Sequence, residues 1–284
     1  MFEIQTNRAI IHIKGIDSQK FLQSLVTNDV VEKIYSYNYL LNNQGRYLYD
    51  FFVYQQSSDS YFIDIDKNSR ANLIKHLLIY KLRSQLEIMD VSDLYSILYS
   101  AEKISGSVFS LPDTRYNKLK FRSLIKIENI KHLEGEIKDL YLMDKYDFAI
   151  IDGSIDLIYE KSIPIEYGAE EFSAIDYKKG CYVGQEVISR AKYQGVIRKK
   201  IYKAQIDGIF ADEIFADKRF FTPYQDIEVT DINGDKVGKL CSFYKNIAIV
   251  ILREEKYLAL LEKKVIINGY VCNVIVPSWR HGSI

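Results

Sequence analysis

The chain has 284 residues, of which 48% are hydrophobic and 27% charged, which is enough apolar matter for more than one core. Basic and acidic residues number 38 each, so the formal net charge is zero; a globally basic nucleic-acid binder is not indicated, and only local patches remain open. Three cysteines with no C-x-x-C pair argue against a disulfide framework and for a reducing compartment.

The four histidines, at 12, 76, 132 and 281, form no metal-ligand pattern, so no metal site is expected. The longest purely apolar run, Ile247 to Leu252, is too short to span a bilayer, and no membrane partner is expected. The opening Ile10, Ile11 and Ile13, broken by His12 and Lys14, read as a strand and not as a signal-peptide core. The composition therefore reads as a soluble cytoplasmic protein. Its 23 tyrosines make packing the default role for any one of them.

In chain order, residues 8–14 predict a strand ended by Gly15. Asp17 then caps a helix with Phe21, Leu22, Leu25 and Val26 on one face, closed by Thr27-Asn28-Asp29. Gly45 marks a turn between strands within Leu40 to Asp50. Tyr47–Tyr54 and Tyr61–Ile65 predict a hairpin, followed by a helix carrying Leu73, Ile74, Leu77 and Leu78. Strands at 86–91, 94–101 and 122–128 complete a ferredoxin-like α+β subdomain over about 46–130. Pro112-Asp113-Thr114-Arg115 reads as a loop without a role. A helix is expected over 136–152, ended by Gly153. Beyond residue 200, strand-like runs at 201–206, 226–231, 247–252 and 263–276, with Asn233-Gly234 and Asn268-Gly269 turns, predict a small antiparallel barrel. Cys241 and Cys272 fall in its strands and are expected to be buried. The domains are read as 1–198 and 199–284.

The most informative stretch is 179–190, Lys-Gly-Cys-Tyr-Val-Gly-Gln-Glu-Val-Ile-Ser-Arg. Gly180 and Gly184 bracket Cys181, and both can adopt angles that a β-carbon forbids. Gln185 and Glu186 open a helix whose positive end faces the loop, with Lys178 and Lys179 adding charge on the other side; both effects favour a thiolate. Glu186 and Arg190, four apart, can brace each other. Local chemistry alone leaves Cys181 evenly balanced between a reactive thiol and a small buried hydrophobe. From Arg190 to Lys203 there are six basic residues and no acid, a segment that suits an anionic ligand, RNA phosphates or plain solvent.

The run Lys179, Gly180, Cys181, Tyr182, Gly184, Gln185 and Glu186, followed by Ser-Arg, resembles the signature of the YgfZ family, and residues 13–30 resemble that family's opening segment. These are folate-binding proteins related to the T-protein, the aminomethyltransferase of the glycine cleavage system. They are linked to iron–sulfur enzyme maturation and to dependent tRNA thiolation. The resemblance implies an α+β T-protein-like folate-binding domain followed by a C-terminal antiparallel β-barrel. It implies tetrahydrofolate as cofactor and iron–sulfur client or assembly proteins as partners, with any RNA contact indirect.

By the same resemblance, Cys181 is the working thiol, acting in redox chemistry or in transient sulfur or iron ligation. Glu166 would accept two N–H bonds from the pterin edge, a bidentate match. Asp50 remains of the T-protein's aspartate pair, Tyr49 replacing its neighbour. It stands level between folate contact and a solvated strand carboxylate. Tyr146 is the nearest aromatic for stacking on folate, with packing as its alternative, and Arg190 belongs to the basic segment that would hold the folate glutamate tail. The expected function is a tetrahydrofolate-binding accessory factor for maturation or repair of four-iron–four-sulfur proteins, not a typical enzyme. A folate-dependent aminomethyl transferase and an RNA-binding module are the alternatives.

Overall fold

The structure, a computed structural model, describes residues 1–195, 197–206 and 227–281, the side chain of His281 excepted. The part of the last histidine's reading that concerns its side chain, and the first residue of the strand expected at 226–231, lie outside the described residues. Contacts divide the chain into two compact units: Met1–Tyr141 with Phe172–Val187, and Leu142–Glu171 with Ile188–Ile284.

The first unit opens with β1 (Phe2–Ile4), β2 (Arg8–Lys14) and α1 (Ser18–Leu25). Then come β3 (Tyr35–Leu41), β4 (Tyr47–Ser57), β5 (Ser60–Asp66), α2 (Arg70–Lys81) and β6 (Glu87–Asp90). Five of these strands form one sheet in the order β3-β4-β5-β2-β6, every pair antiparallel. Without β3, this is β-α-β-β-α-β with β2 and β5 inside, the ferredoxin-like arrangement. It runs over 8–90, because α1 is its first helix. The strands further on, β7 (Tyr95–Ser100), β8 (Phe109–Pro112) and β9 (Phe121–Lys126), join β1 in a second sheet, β1-β7-β9-β8. A short α3 follows at Ile127–Ile130.

Strand periodicity separates two faces of the larger sheet. Ile11, Ile13, Phe51, Val53, Ile63 and Ile65 enter a core with Phe21, Leu22 and Leu25 of α1 and Leu73 and Leu77 of α2. The alternate positions, including Phe52, Tyr54, Phe62 and Asp64, face the second sheet: Tyr54 meets Phe109, Phe62 meets Tyr95 and Asp64 meets Arg122. With both faces covered, β3 is buried throughout, its polar Ser36 and Asn38 included. Asp17 stands at the N-cap of α1, but its carboxylate makes no cap bond and accepts the Gln85 N–H at 2.7 Å instead.

The second unit holds α4 (Leu140–Phe148, its first two residues in the first unit), α5 (Gly153–Asp156) and a 3-10 turn at Pro164–Tyr167. The helix expected over 136–152 stops earlier, at Phe148, where Ala149 takes a left-handed φ of 54°; Gly153 begins α5 rather than ending α4. After α6 (Gln185–Tyr193), which crosses from one unit to the other, come β10 (Lys199–Ile206), β11 (Glu228–Thr230), β12 (Lys236–Tyr244) and β13 (Ile247–Arg253). A helix, α7 (Glu254–Ala259), precedes β14 (Lys264–Ile267) and β15 (Tyr270–Ile275). The six strands close a barrel, β10-β13-β12-β11-β14-β15, with β15 back on β10. Its first strand begins at Lys199, while the second compact unit also takes in Leu142–Glu171 and the residues from Ile188 on. Cys272 is buried inside it, while Cys241 is only partly buried.

Candidate functional site: the Cys181 loop

The two sequence stretches that stood out, 13–30 and 178–190, meet in the first unit. Helix α1 ends at Leu25, and its last carbonyls need partners. Thr27 Oγ1 donates to Ala174 O at 2.7 Å and accepts the Tyr39 N–H at 2.9 Å. Asn28 Nδ2 donates to Tyr37 O and to Ser173 O, at 3.0 and 2.7 Å. The Asp176 N–H returns to Thr27 O at 3.0 Å, and Lys33 pairs with Asp176 at 3.2 Å. Thr27-Asn28 is thus the seat of the segment that leads into the cysteine loop.

Lys179 completes the junction. Its Nζ donates to three backbone carbonyls, Gln23 O at 2.8 Å, Val26 O at 2.6 Å and Asn28 O at 2.8 Å. It also lies 5.2 Å from the Tyr182 ring centroid. Burial pushes this ammonium down to about 8, with Asp29 and Asp176 opposing and Lys33 adding to the shift. The sequence reading of Lys179 as a loop-side cation is therefore corrected: its charge is spent on the carboxyl end of α1. Lys178 is exposed.

The two glycines differ. Gly184 has φ +84°, and a Cβ there would come within 2.7 Å of Asn42 O and 3.2 Å of Gly45 Cα. The signature loop is wedged against the Gly45 turn, where a Cβ would in turn meet Val187 at 2.9 Å. Gly180 is not among the glycines with positive φ, and a Cβ there meets nothing within 4 Å. The freedom open to both glycines is thus used at Gly184 and not at Gly180.

Between these supports Cys181 is exposed, whereas Lys179 and Tyr182 are buried. It lines an open hollow of about 350 Å³ with Gln19, Lys20, Gln23 and Ser24 of α1 and with Val31. Burial pushes the Cys241 thiol well up. Among the three cysteines, Cys181 alone is exposed. Gln185 and Glu186 begin α6, and Arg190 is exposed in its last turn.

Asp50 is not a solvated strand carboxylate. It is buried, and its two oxygens accept Tyr37 OH at 2.7 Å and Tyr47 OH at 2.8 Å. Each oxygen keeps a second lone pair. Tyr49 is buried in the helix-side core, edge-on to His76. In the second unit, Glu166 sits on the 3-10 turn and pairs with Lys199 at 3.2 Å. Tyr146 is buried, its ring stacked on Tyr244 at 5.6 Å and 4.9 Å from the Lys145 ammonium. The basic run 190–203 is largely paired: Lys192 with Glu170, Lys199 with Glu166, Lys200 with Glu254 and Lys203 with Asp147. Its acids come from elsewhere in the chain, so its positive field is much weaker than the run suggests.

Sequence reasoning missed a buried ionic chain between the two sheets. Asp64 accepts Arg8 Nε and Arg122 Nη2, both at 2.6 Å. Asp113 and Arg115, from the loop given no role, are fully buried and pair at 2.7 Å, and the Arg115 guanidinium lies 5.0 Å from the Phe52 ring. The one local signal was an Asp-x-Arg beside a proline, too common to read.

No protein-family model matches the chain. It is 29% identical over 227 residues to the "Iron-sulfur cluster assembly factor IBA57 homolog, mitochondrial" of Pyricularia oryzae, covering 74% of this chain and 58% of that protein. The protein of the same description from Aspergillus oryzae is 30% identical over 251 residues, covering 71% of this chain and 56% of that one. The chain spans a little over half the length of these relatives. Among solved structures, the glycine cleavage system aminomethyltransferase T from Bartonella henselae superposes with a TM-score of 0.70 at 12% identity, covering 97% of this chain and 84% of that one. The fold of this chain is that of the aminomethyltransferase T-protein, with its closed antiparallel barrel at the C-terminal end.

Proposed function

We propose that the chain is a tetrahydrofolate-binding accessory factor of the YgfZ kind for assembly or repair of four-iron–four-sulfur proteins, with Cys181 as its working thiol. The observation that carries this reading is the placement of Cys181: exposed, on a loop anchored at both ends, at the edge of a hollow on α1. The similarity to proteins described as iron–sulfur cluster assembly factors supports the class of function. Iron–sulfur clusters are typically held by four protein ligands, and Cys181 supplies one thiolate. A client or assembly protein docked over the hollow would supply the others. Any effect on tRNA thiolation would pass through such clients, and the exposed thiol requires a reducing compartment.

The chemistry of Asp50 suits a reduced pterin, since it offers carboxylate lone pairs in a buried setting. Glu166, in the second unit, is half-buried with a lysine partner that an N–H donor can displace or share. Bound, tetrahydrofolate would supply a one-carbon carrier and an electron-rich ring. Asp50 would orient it by accepting N–H bonds, held in place by Tyr37 and Tyr47. One-carbon transfer is the enzyme reading. It lacks the second aspartate, Tyr49 standing in its place inside the core.

The test uses purified protein, tetrahydrofolate titration by fluorescence quenching, and cluster reconstitution of an apo four-iron–four-sulfur enzyme. Cys181→Ala should bind folate as before and lose at least about tenfold in the reconstitution rate. Full activity of Cys181→Ala would overturn the thiol's role, absence of folate binding would overturn the cofactor, and methylenetetrahydrofolate formed from an aminomethyl donor would favour the transferase.

A further inference from the structure

The reactive segment is short and pinned. Lys179 and Gly184 are five residues apart, and only Gly180 and Cys181 of the first half are exposed. Gly184 is fixed by contact with the Gly45 turn. At the other abutment the Lys179 N–H reaches Asp176 Oδ1 at 3.2 Å, the Asp176 N–H returns to Thr27 O, and the Lys179 side chain adds the largest set of bonds to α1. Lys179 Nζ has three donors, and three carbonyls from the end of α1 and the residues just after it receive them at 2.6 to 2.8 Å. Those carbonyls belong to the negative end of a helix, where a cation is favoured and where unpaired acceptors would otherwise be buried. Cys181 follows two residues later, so its Cα lies within about 7 Å of the Cα of Lys179.

We propose that Lys179 is a positioning residue: its ammonium, held by the carbonyls of Gln23, Val26 and Asn28, locks the Cys181 loop to the end of α1 and so fixes the thiol over the hollow. The inference rests on Cys181 being the working thiol. The clamp needs a tripod of N–H donors as well as positive charge. A methionine has neither. An arginine carries the charge in a planar fork that does not match three converging carbonyls. The shortest bond goes to Val26 O, the first carbonyl past the last helical residue, so the ammonium acts as the cap of α1 as well as the anchor of the loop.

The experiment removes the side chain and returns the missing part as a solute. In Lys179→Ala, the lost atoms correspond to n-propylammonium. Cys181 is tagged with a small trifluoromethyl reagent, and the site is verified by peptide mapping. Fluorine NMR of the tagged wild-type protein should give one main resonance. In Lys179→Ala it should split or shift, and the rate of cluster reconstitution by the untagged variant should fall about tenfold, the order expected for loss of charge-assisted bonds. Added n-propylammonium should restore both readouts. Tetramethylammonium, a cation without N–H donors, should restore neither, and Lys179→Arg should resemble the alanine variant.

A wild-type fluorine spectrum in Lys179→Ala would overturn the proposal, as would equal rescue by the two cations. Should Lys179→Ala fail to fold in buffer, folding in n-propylammonium but not in tetramethylammonium supports the clamp, and failure in both overturns it. The spectrum reports the clamp even if Cys181→Ala keeps full cluster activity, so the two readings fail separately.

Discussion

Asp64 in the first unit and Asp156 in the second are both sealed from solvent and both paired with a cation, yet their carboxyls shift in opposite directions. Burial is the largest influence on each and pushes each up. At Asp64, Arg122 and Arg8 outweigh it, through charge and hydrogen bonds, and hold the carboxyl below its ordinary value. At Asp156 a single cation, Lys145 at 2.6 Å, with Ser242 and the Asp152 N–H, does not; the Asp152 charge adds to the rise, and the carboxyl stays raised. One buried cation leaves a carboxylate under desolvation stress, and two relieve it. Asp50 is a third case, buried with two phenols and no ion pair among the described residues. That environment suits a carboxylate whose partner arrives from outside.

The largest effect is expected where the pairing is most complete. Arg122→Met leaves Asp64 with one cation and removes the tie between the two sheets, so urea unfolding should show a loss of about 3–5 kcal/mol. Lys145→Met should lose less, about 2–3 kcal/mol, because burial already holds the Asp156 carboxyl above its ordinary value and it can take a proton once its cation is gone. Equal losses would break the comparison. Asp50→Asn should lose only about 1 kcal/mol, since the amide oxygen still accepts one of the phenols. Its tetrahydrofolate affinity should fall about tenfold or more, a difference that separates a ligand-facing carboxylate from a structural one.

The fold was legible where its signals are local. The alternation of β2, the amphipathic α1, the Tyr-rich hairpin and the two Asn-Gly turns of the barrel all follow from periods of a few residues. The site was legible in part: Cys181 and the wedged Gly184 lie where the motif puts them. What stayed hidden depends on partners distant in sequence. Lys179 meets Asn28 across 151 positions, and Arg122 meets Asp64 across 58. A lysine or an arginine read alone is a solvated charge, and nothing beside it in the chain announces a buried acceptor. The same reasoning, reversed, made the run 190–203 look like a basic surface, because its neutralising carboxylates are Glu166, Glu170, Glu254 and Asp147.

The smallest effect sharpens the opening contrast through its sign. A carboxyl held low in the folded state adds stability that is present above its unfolded value and is lost as pH falls through the folded one; this is Asp64. A carboxyl held high binds its proton more tightly when folded, so stability rises as pH falls toward the unfolded value; this is Asp156. Urea unfolding at about pH 7 and about pH 5, just above the ordinary carboxylate range, isolates the second case. From the first condition to the second the gap between wild type and Asp156→Asn should move in favour of wild type, the sign set by a carboxyl held above its ordinary value. The gap between wild type and Asp64→Asn should hold, because Asp64 stays ionised throughout. If the Asp156→Asn gap also holds, Lys145 offsets burial as fully as the two arginines do, and the distinction between the two pairs disappears.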